Sequence, residues 1–183
     1  MHVDRDHLPW RLRAEQSGGG LFMDLASHAL DILDYLLGPL EQVGGTAANR
    51  ASPYEVEDVV AMHGRFASGT LLTGAWNFAS ALHEDWLDFI GTAGRLTLPV
   101  FGTEPLRLET AAGVETFDIP NPPHIEQPLI QSIVDQLHGR GQCPSTGATA
   151  LRTAWVMDQV LADYYGTRDD DFWTRSETWP GRR

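Results

Sequence analysis

Short, glycine-bearing connections between strand-like segments decide how the middle of this chain can fold. Val59–Phe66 and Thr70–Ala79 both carry strand-like apolar patterns, and only Ala67-Ser68-Gly69 separates them. A parallel return needs a crossover of roughly a dozen residues or more. The pair is therefore an antiparallel hairpin, with glycine where a left-handed residue is usual. Along its second strand Leu72, Gly74, Trp76 and Phe78 share one face, and Thr73, Ala75 and Asn77 share the other. Trp86–Gly91 and Arg95–Leu98, joined through Thr92-Ala93-Gly94, predict a second hairpin, and Leu106–Glu109 with Val114–Asp118 a third.

Helical patterns flank this run of strands, which extends from Glu41 to about Phe117. The first helix spans about Gly20 to Leu37 and is stopped by Gly38-Pro39. After Asn121-Pro122-Pro123 the pattern predicts helices over His124–His138 and Thr146–Tyr165, with Ser145 or Thr146 placed to cap the second. One helix, many strands and two closing helices read as α+β, with helices covering one sheet face. At 183 residues the chain suits a single domain, 1–183, with a lead-in at 1–17 and a peripheral tail at 166–183.

Composition narrows the chemistry. A net charge of −12 argues against nucleic-acid partners and anionic membrane surfaces, and leaves neutral substrates such as sugars and polyols unopposed. All 13 basic residues are arginine, so Schiff-base chemistry on lysine and a Walker-type phosphate loop are excluded. Cys143 is the only cysteine, which rules out an internal disulfide and a cysteine-rich metal site. The longest apolar stretch, Leu21 to Leu37, is interrupted by Asp24, Asp31 and Asp34, and the N-terminus has no apolar signal region. Cytoplasmic residence with no membrane contact is the expectation.

The first helix carries the chemistry-bearing residues. Gly18-Gly19-Gly20 precede it, but no strand-like run comes before them and the third glycine of G-x-G-x-x-G is missing, so a phosphate loop is not expected. The glycines instead suit close backbone approach. At about 100° per residue Asp24, His28, Asp31 and Tyr35 fall on one edge, bordering a stripe of Phe22, Leu25, Ala29, Ile32, Leu33 and Leu36 expected to face the core. Asp34 and Ser27 are expected to face water. A carboxylate one turn before an imidazole can orient the ring, and such a histidine can take a proton from a hydroxyl near neutral pH. A solvated Asp–His pair and an oxygen–nitrogen metal site are the other readings of the same three residues.

In order and spacing the chain resembles the C-terminal domain of the Gfo/Idh/MocA oxidoreductases, relatives of glucose–fructose oxidoreductase and inositol dehydrogenase. The likeness runs through Trp10-Arg11, Gly18-Gly19-Gly20, Asp24-x-x-x-His28-x-x-Asp31, Gly38 and Glu57-Asp58. It continues in Phe66-Ala67-Ser68-Gly69, Ile90-Gly91-Thr92-Ala93-Gly94 and Cys143-Pro144-Ser145-Thr146-Gly147. The resemblance implies a large open, mostly antiparallel sheet with helices on one side, whose free face serves homo-oligomer contacts. It implies that His28 accepts a proton as hydride leaves for NAD or NADP, and that Asp24 orients it or binds substrate. Asp31, Trp10, Arg11 and Asn77 would then line the substrate pocket, and Gly19 and Gly20 would lie against the cofactor. No metal is implied.

Members of the family begin with a Rossmann domain bearing the glycine fingerprint and a Glu-Lys-Pro segment with a catalytic lysine, and this chain has neither. Two readings follow. One is the substrate-binding and oligomerisation domain of an NAD(P)-dependent oxidoreductase acting on a sugar, polyol or related hydroxy compound, inactive without the cofactor domain. The other is a stand-alone, non-enzymatic dimeric module that binds a small polar ligand or a protein partner.

Overall fold

The computed structural model describes residues 7–166. The start of the expected lead-in and nearly all of the expected tail lie outside the described residues. Two compact units result: the described residues up to Ala81 together with those from Gly147 on, and Leu82–Thr146.

In the first unit a 3-10 turn at Trp10–Leu12 and a single helical turn, α1 (Ala14–Ser17), lead to the buried glycines. The expected first helix is not uniform. It opens as a π-helical turn, Phe22–Ala26, and continues as α2 (Ser27–Leu37), ending at Gly38-Pro39 as expected. Strands β1 (Leu40–Ala48), β2 (Val59–Phe66) and β3 (Leu71–Asn77) follow and pair antiparallel in that order. Gly69 takes φ +89° in the β2–β3 turn, a conformation that suits a residue without Cβ. The unit closes with α4 (Gly147–Tyr165).

One face of this sheet is covered. Val60, Met62 and Phe66 point inward from β2, with Leu72, Trp76 and Phe78 packed beside them. Phe22 sits edge-on to Trp76 with ring centroids 5.0 Å apart. Val156, Met157, Val160 and Leu161 complete the cluster from α4. A side chain at Gly45 would meet Val160 Cγ1 at 2.7 Å, so glycine there lets α4 lie close against β1. The other face, with Ala61, His63, Arg65, Thr73, Ala75 and Asn77, is exposed. The expected alternation in β3 is therefore borne out, and so is the α+β class.

The expected inward stripe of α2 requires correction. Ala26, Ala29, Leu30 and Leu33 are the buried residues alongside Phe22, whereas Ile32 is 38% and Leu36 52% exposed. The covered sector is turned by roughly 60° from the one expected. Two apolar sectors adjoin on this helix, and only one of them has a sheet and α4 to pack against.

In the second unit β4 (Leu87–Gly91), β5 (Gly94–Leu98), β6 (Leu106–Thr110) and β7 (Gly113–Phe117) form a separate antiparallel sheet in sequence order. Register places Ile90, Arg95, Glu109 and Val114 in one cross-strand row, and Phe89, Leu96 and Leu108 in the next. Successive rows alternate sides, so one face is largely polar and the other apolar. Helix α3 (Gln127–Leu137) starts later than expected, with Pro128 in its first turn, where a missing N–H removes no helical bond. Among the described residues no helix is long and apolar enough to cross a membrane.

The loop before β2 is organised by a buried carboxylate. Asp58 accepts backbone N–H bonds from Arg50 at 2.7 Å, Ala51 at 3.0 Å and Ser52 at 2.8 Å. Burial pushes its pKa up, but these three amides and the Ser52 hydroxyl outweigh burial and hold it below the ordinary carboxylate value. Stabilisation from a depressed carboxyl is complete above the unfolded pKa of about 4 and fades as pH falls through the folded value. Asp58→Asn should therefore cost about 1.5–3 kcal/mol at neutral pH and flatten the loss of stability on acidification. Denaturant unfolding between pH 7 and pH 3 measures both.

Candidate functional site

Packing of α2 decides what it leaves outside. With Phe22, Ala26, Leu30 and Leu33 buried, the outward stripe is Leu25, His28, Ile32, Tyr35 and Leu36, of which all but the half-buried Leu25 are exposed. His28 stands in the first turn of α2, and Asp24 in the π-helical turn ahead of it. The Asp24 carboxylate meets Arg11 Nε at 2.7 Å. The Arg11 guanidinium in turn lies 4.8 Å above the Trp10 ring. The fold thus links Trp10, Arg11 and Asp24, three residues singled out in the sequence, into one contact chain. Arg11 and Asp24 are partly exposed, and such pairs contribute at most about 1 kcal/mol.

Other expected residues go elsewhere. Asp31 turns toward α4, where Thr153 Oγ1 donates to it at 3.4 Å. Asp34 is held by Arg152 through Nε at 2.8 Å, rather than facing water alone. Ser27 Oγ donates to the Asp24 carbonyl at 2.7 Å. Asn77 is not brought to this site: it lies on the open sheet face, and its Oδ1 accepts from the Ala79 amide at 3.1 Å.

Gly18, Gly19 and Gly20 are all buried. The Gly20 amide donates to both carboxylate oxygens of Glu57, at 3.0 and 2.9 Å. Glu57 is itself fully buried, and the Tyr165 hydroxyl donates to the same carboxylate. Gly20 stands just ahead of Leu21, the helix's N-cap, and its amide is taken up by the chain's own carboxylate. Sequence reasoning did not assign Glu57 and Tyr165 to this place. The available signal was an acidic pair, Glu57-Asp58, at the mouth of a strand of alternating inward residues.

Comparison with known proteins agrees with this architecture. The model of the GFO/IDH/MocA C-terminal domain matches residues 1–97 of the 183. The chain belongs to the Gfo/Idh/MocA family. It is 27% identical over 158 residues to Oxidoreductase P35 of Formosa agariphila, covering 85% of this chain and 48% of that protein. It is 28% identical over 161 residues to the 1,5-anhydro-D-fructose reductase of Ensifer adhaerens, covering 84% and 46%. The fold is also that of levoglucosan dehydrogenase in complex with NADH and levoglucosan, with a TM-score of 0.70, 20% identity, and 84% of this chain matched to 50% of that one. The chain spans about half the length of the curated relatives it matches.

For a Gfo/Idh/MocA C-terminal domain, the geometry offers an exposed imidazole, a carboxylate steered by a guanidinium, and an indole ring. Those groups suit hydrogen bonding and stacking with a polyhydroxylated molecule. Among the described residues no three His, Cys, Asp or Glu side chains converge as metal ligands. The closeness of Gly20 to Glu57 is testable. A Cβ there would lie 2.6 Å from the Glu57 carbonyl oxygen and 2.9 Å from its carboxyl group, whereas one at Gly147 meets nothing within 4 Å. Gly20→Ala should cost about 1–3 kcal/mol, and Gly147→Ala should be neutral or stabilising by up to about 1 kcal/mol, by thermal unfolding.

Proposed function

We propose that this chain is the substrate-binding and oligomerisation half of an NAD(P)-dependent oxidoreductase acting on a sugar, polyol or related hydroxy compound. The observation that carries the reading is His28, exposed on α2 one turn after the Arg11-bound Asp24 and bordered by the uncovered Ile32, Tyr35 and Leu36. The names of the relatives, a 1,5-anhydro-D-fructose reductase and a levoglucosan dehydrogenase, support a small carbohydrate as the substrate class.

The residues present suit the proton half of the reaction, not the holding of a dinucleotide. The glycines are buried, the Gly20 amide is already donated to Glu57, and the chain has no lysine. A nicotinamide, when bound, supplies the hydride chemistry. This chain's part is to seat the substrate hydroxyl and take its proton on the His28 imidazole. Asp24, turned by Arg11, accepts a hydrogen bond from a neighbouring hydroxyl, and the 53%-exposed Trp10 offers ring surface to the sugar's C–H face. Asp31 supports the helix through Thr153. Gly19 and Gly20, expected to lie against the cofactor, are buried within the chain, and Gly20 packs toward Glu57 instead. The apolar row of Phe89, Leu96 and Leu108, only half-buried, supports oligomerisation through a sheet face.

Two measurements test this reading. Calorimetric titration of the chain alone with NADH should give no micromolar affinity; micromolar binding would place the cofactor site within these 183 residues and overturn the division of labour. In an enzyme that pairs this chain with a dinucleotide domain, His28→Ala should lower turnover by about 10²-fold or more. An unchanged rate would remove His28 from the mechanism.

A further inference from the structure

Glu57 is fully buried. A buried carboxylate is tolerated only when its oxygens are hydrogen-bonded, and an apolar side chain would fill the same space without that demand. Its use must then lie in where it directs hydrogen bonds. Both oxygens receive the Gly20 amide, and the Tyr165 hydroxyl reaches Oε2. Gly20 lies two residues before the π-helical turn Phe22–Ala26. Gly20 precedes Leu21, the N-cap, so its amide lies outside the helix's own hydrogen bonding. The acceptor comes instead from 37 residues away.

We infer that Glu57, held by Tyr165, is a positioning residue: by fixing Gly20 it sets the register of the π-helical turn that brings Asp24 to Arg11 and leads into His28. The inference rests on the reading of Asp24 and His28 as site residues. A π-helical turn persists only where its surroundings hold it, and it commonly marks functional sites. Relaxation to an ordinary α-helix would drop one residue from the turn and rotate Asp24 by about 100° away from Arg11. Two contacts resist that. The Gly20 amide is hydrogen-bonded to both Glu57 oxygens, across an approach too close for a side chain. Tyr165 ends α4, and its neighbour Tyr164 donates to the Glu55 carbonyl at 2.7 Å, so the helix end is tied to the segment that carries Glu57.

The test uses the full chain, free of cofactor and substrate, with Glu57→Gln, Tyr165→Phe and, as a control for stability alone, Arg152→Ala, which cuts the surface pair between α4 and α2. Amide exchange at Gly20 and the Arg11 Nε–H resonance are read by NMR beside the thermal midpoint. Both clamp variants should speed Gly20 exchange about tenfold or more and move the Arg11 resonance toward that of free arginine. Arg152→Ala should change neither. A lowered midpoint with an unmoved Arg11 resonance in Tyr165→Phe would make the clamp merely structural and overturn the proposal; so would equal movement in the control. Should Glu57→Gln not fold, Tyr165→Phe decides alone. Because no turnover is measured, failure here is separate from failure of the His28 reading, which the rate of His28→Ala decides.

Discussion

Burial of Phe22, Ala26 and Leu30 against β2, β3 and α4 is the contact on which the candidate site depends. Full burial of a large apolar side chain is favourable by about 1.5–3 kcal/mol, and Phe22 adds an edge-on contact with Trp76. A helix so anchored cannot roll. Its remaining circumference, with His28 among Ile32, Tyr35 and Leu36, must face away from the sheet. Exposure of the imidazole is therefore a result of core packing.

Much of the fold was legible because it is decided locally. The β2–β3 turn needs a residue at positive φ, and Gly69 announces it; Gly38-Pro39 ends a helix wherever it occurs. The roll of α2 was not legible. Leu25, Ile32 and Leu36 form as regular an apolar sector as Ala26, Leu30 and Leu33, and periodicity cannot tell which of two adjoining sectors meets the sheet. A π-helical turn also breaks the uniform 100° step on which such a reading relies.

The site divides along the same line. Trp10, Arg11 and Asp24 were found by residue type and order, and a salt bridge and a ring contact do link them. Asp31 shares their helix but turns to Thr153, because α4 lies on that side. Asn77 belongs to the exposed sheet face, opposite the one that packs on α4. For both, chemistry was readable and direction was not. Glu57 shows the converse: its type gave no hint of a partner 37 residues earlier, since only the folded strand brings a carboxylate to the glycine amide.

Three glycines ahead of a helix invite an anion for a sound reason, since unpaired amides and the helix dipole both attract negative charge there. In this chain the attraction is satisfied from within. Glu57 takes the Gly20 amide on both of its oxygens, with Tyr165 on one of them. An incoming phosphate would have to displace a fully buried carboxylate from that amide, in a chain already at a net charge of −12. The Gly20 amide is committed to Glu57. That commitment leaves the glycines no free amide at Gly20 to offer an anion, and His28 stands exposed on the helix that follows.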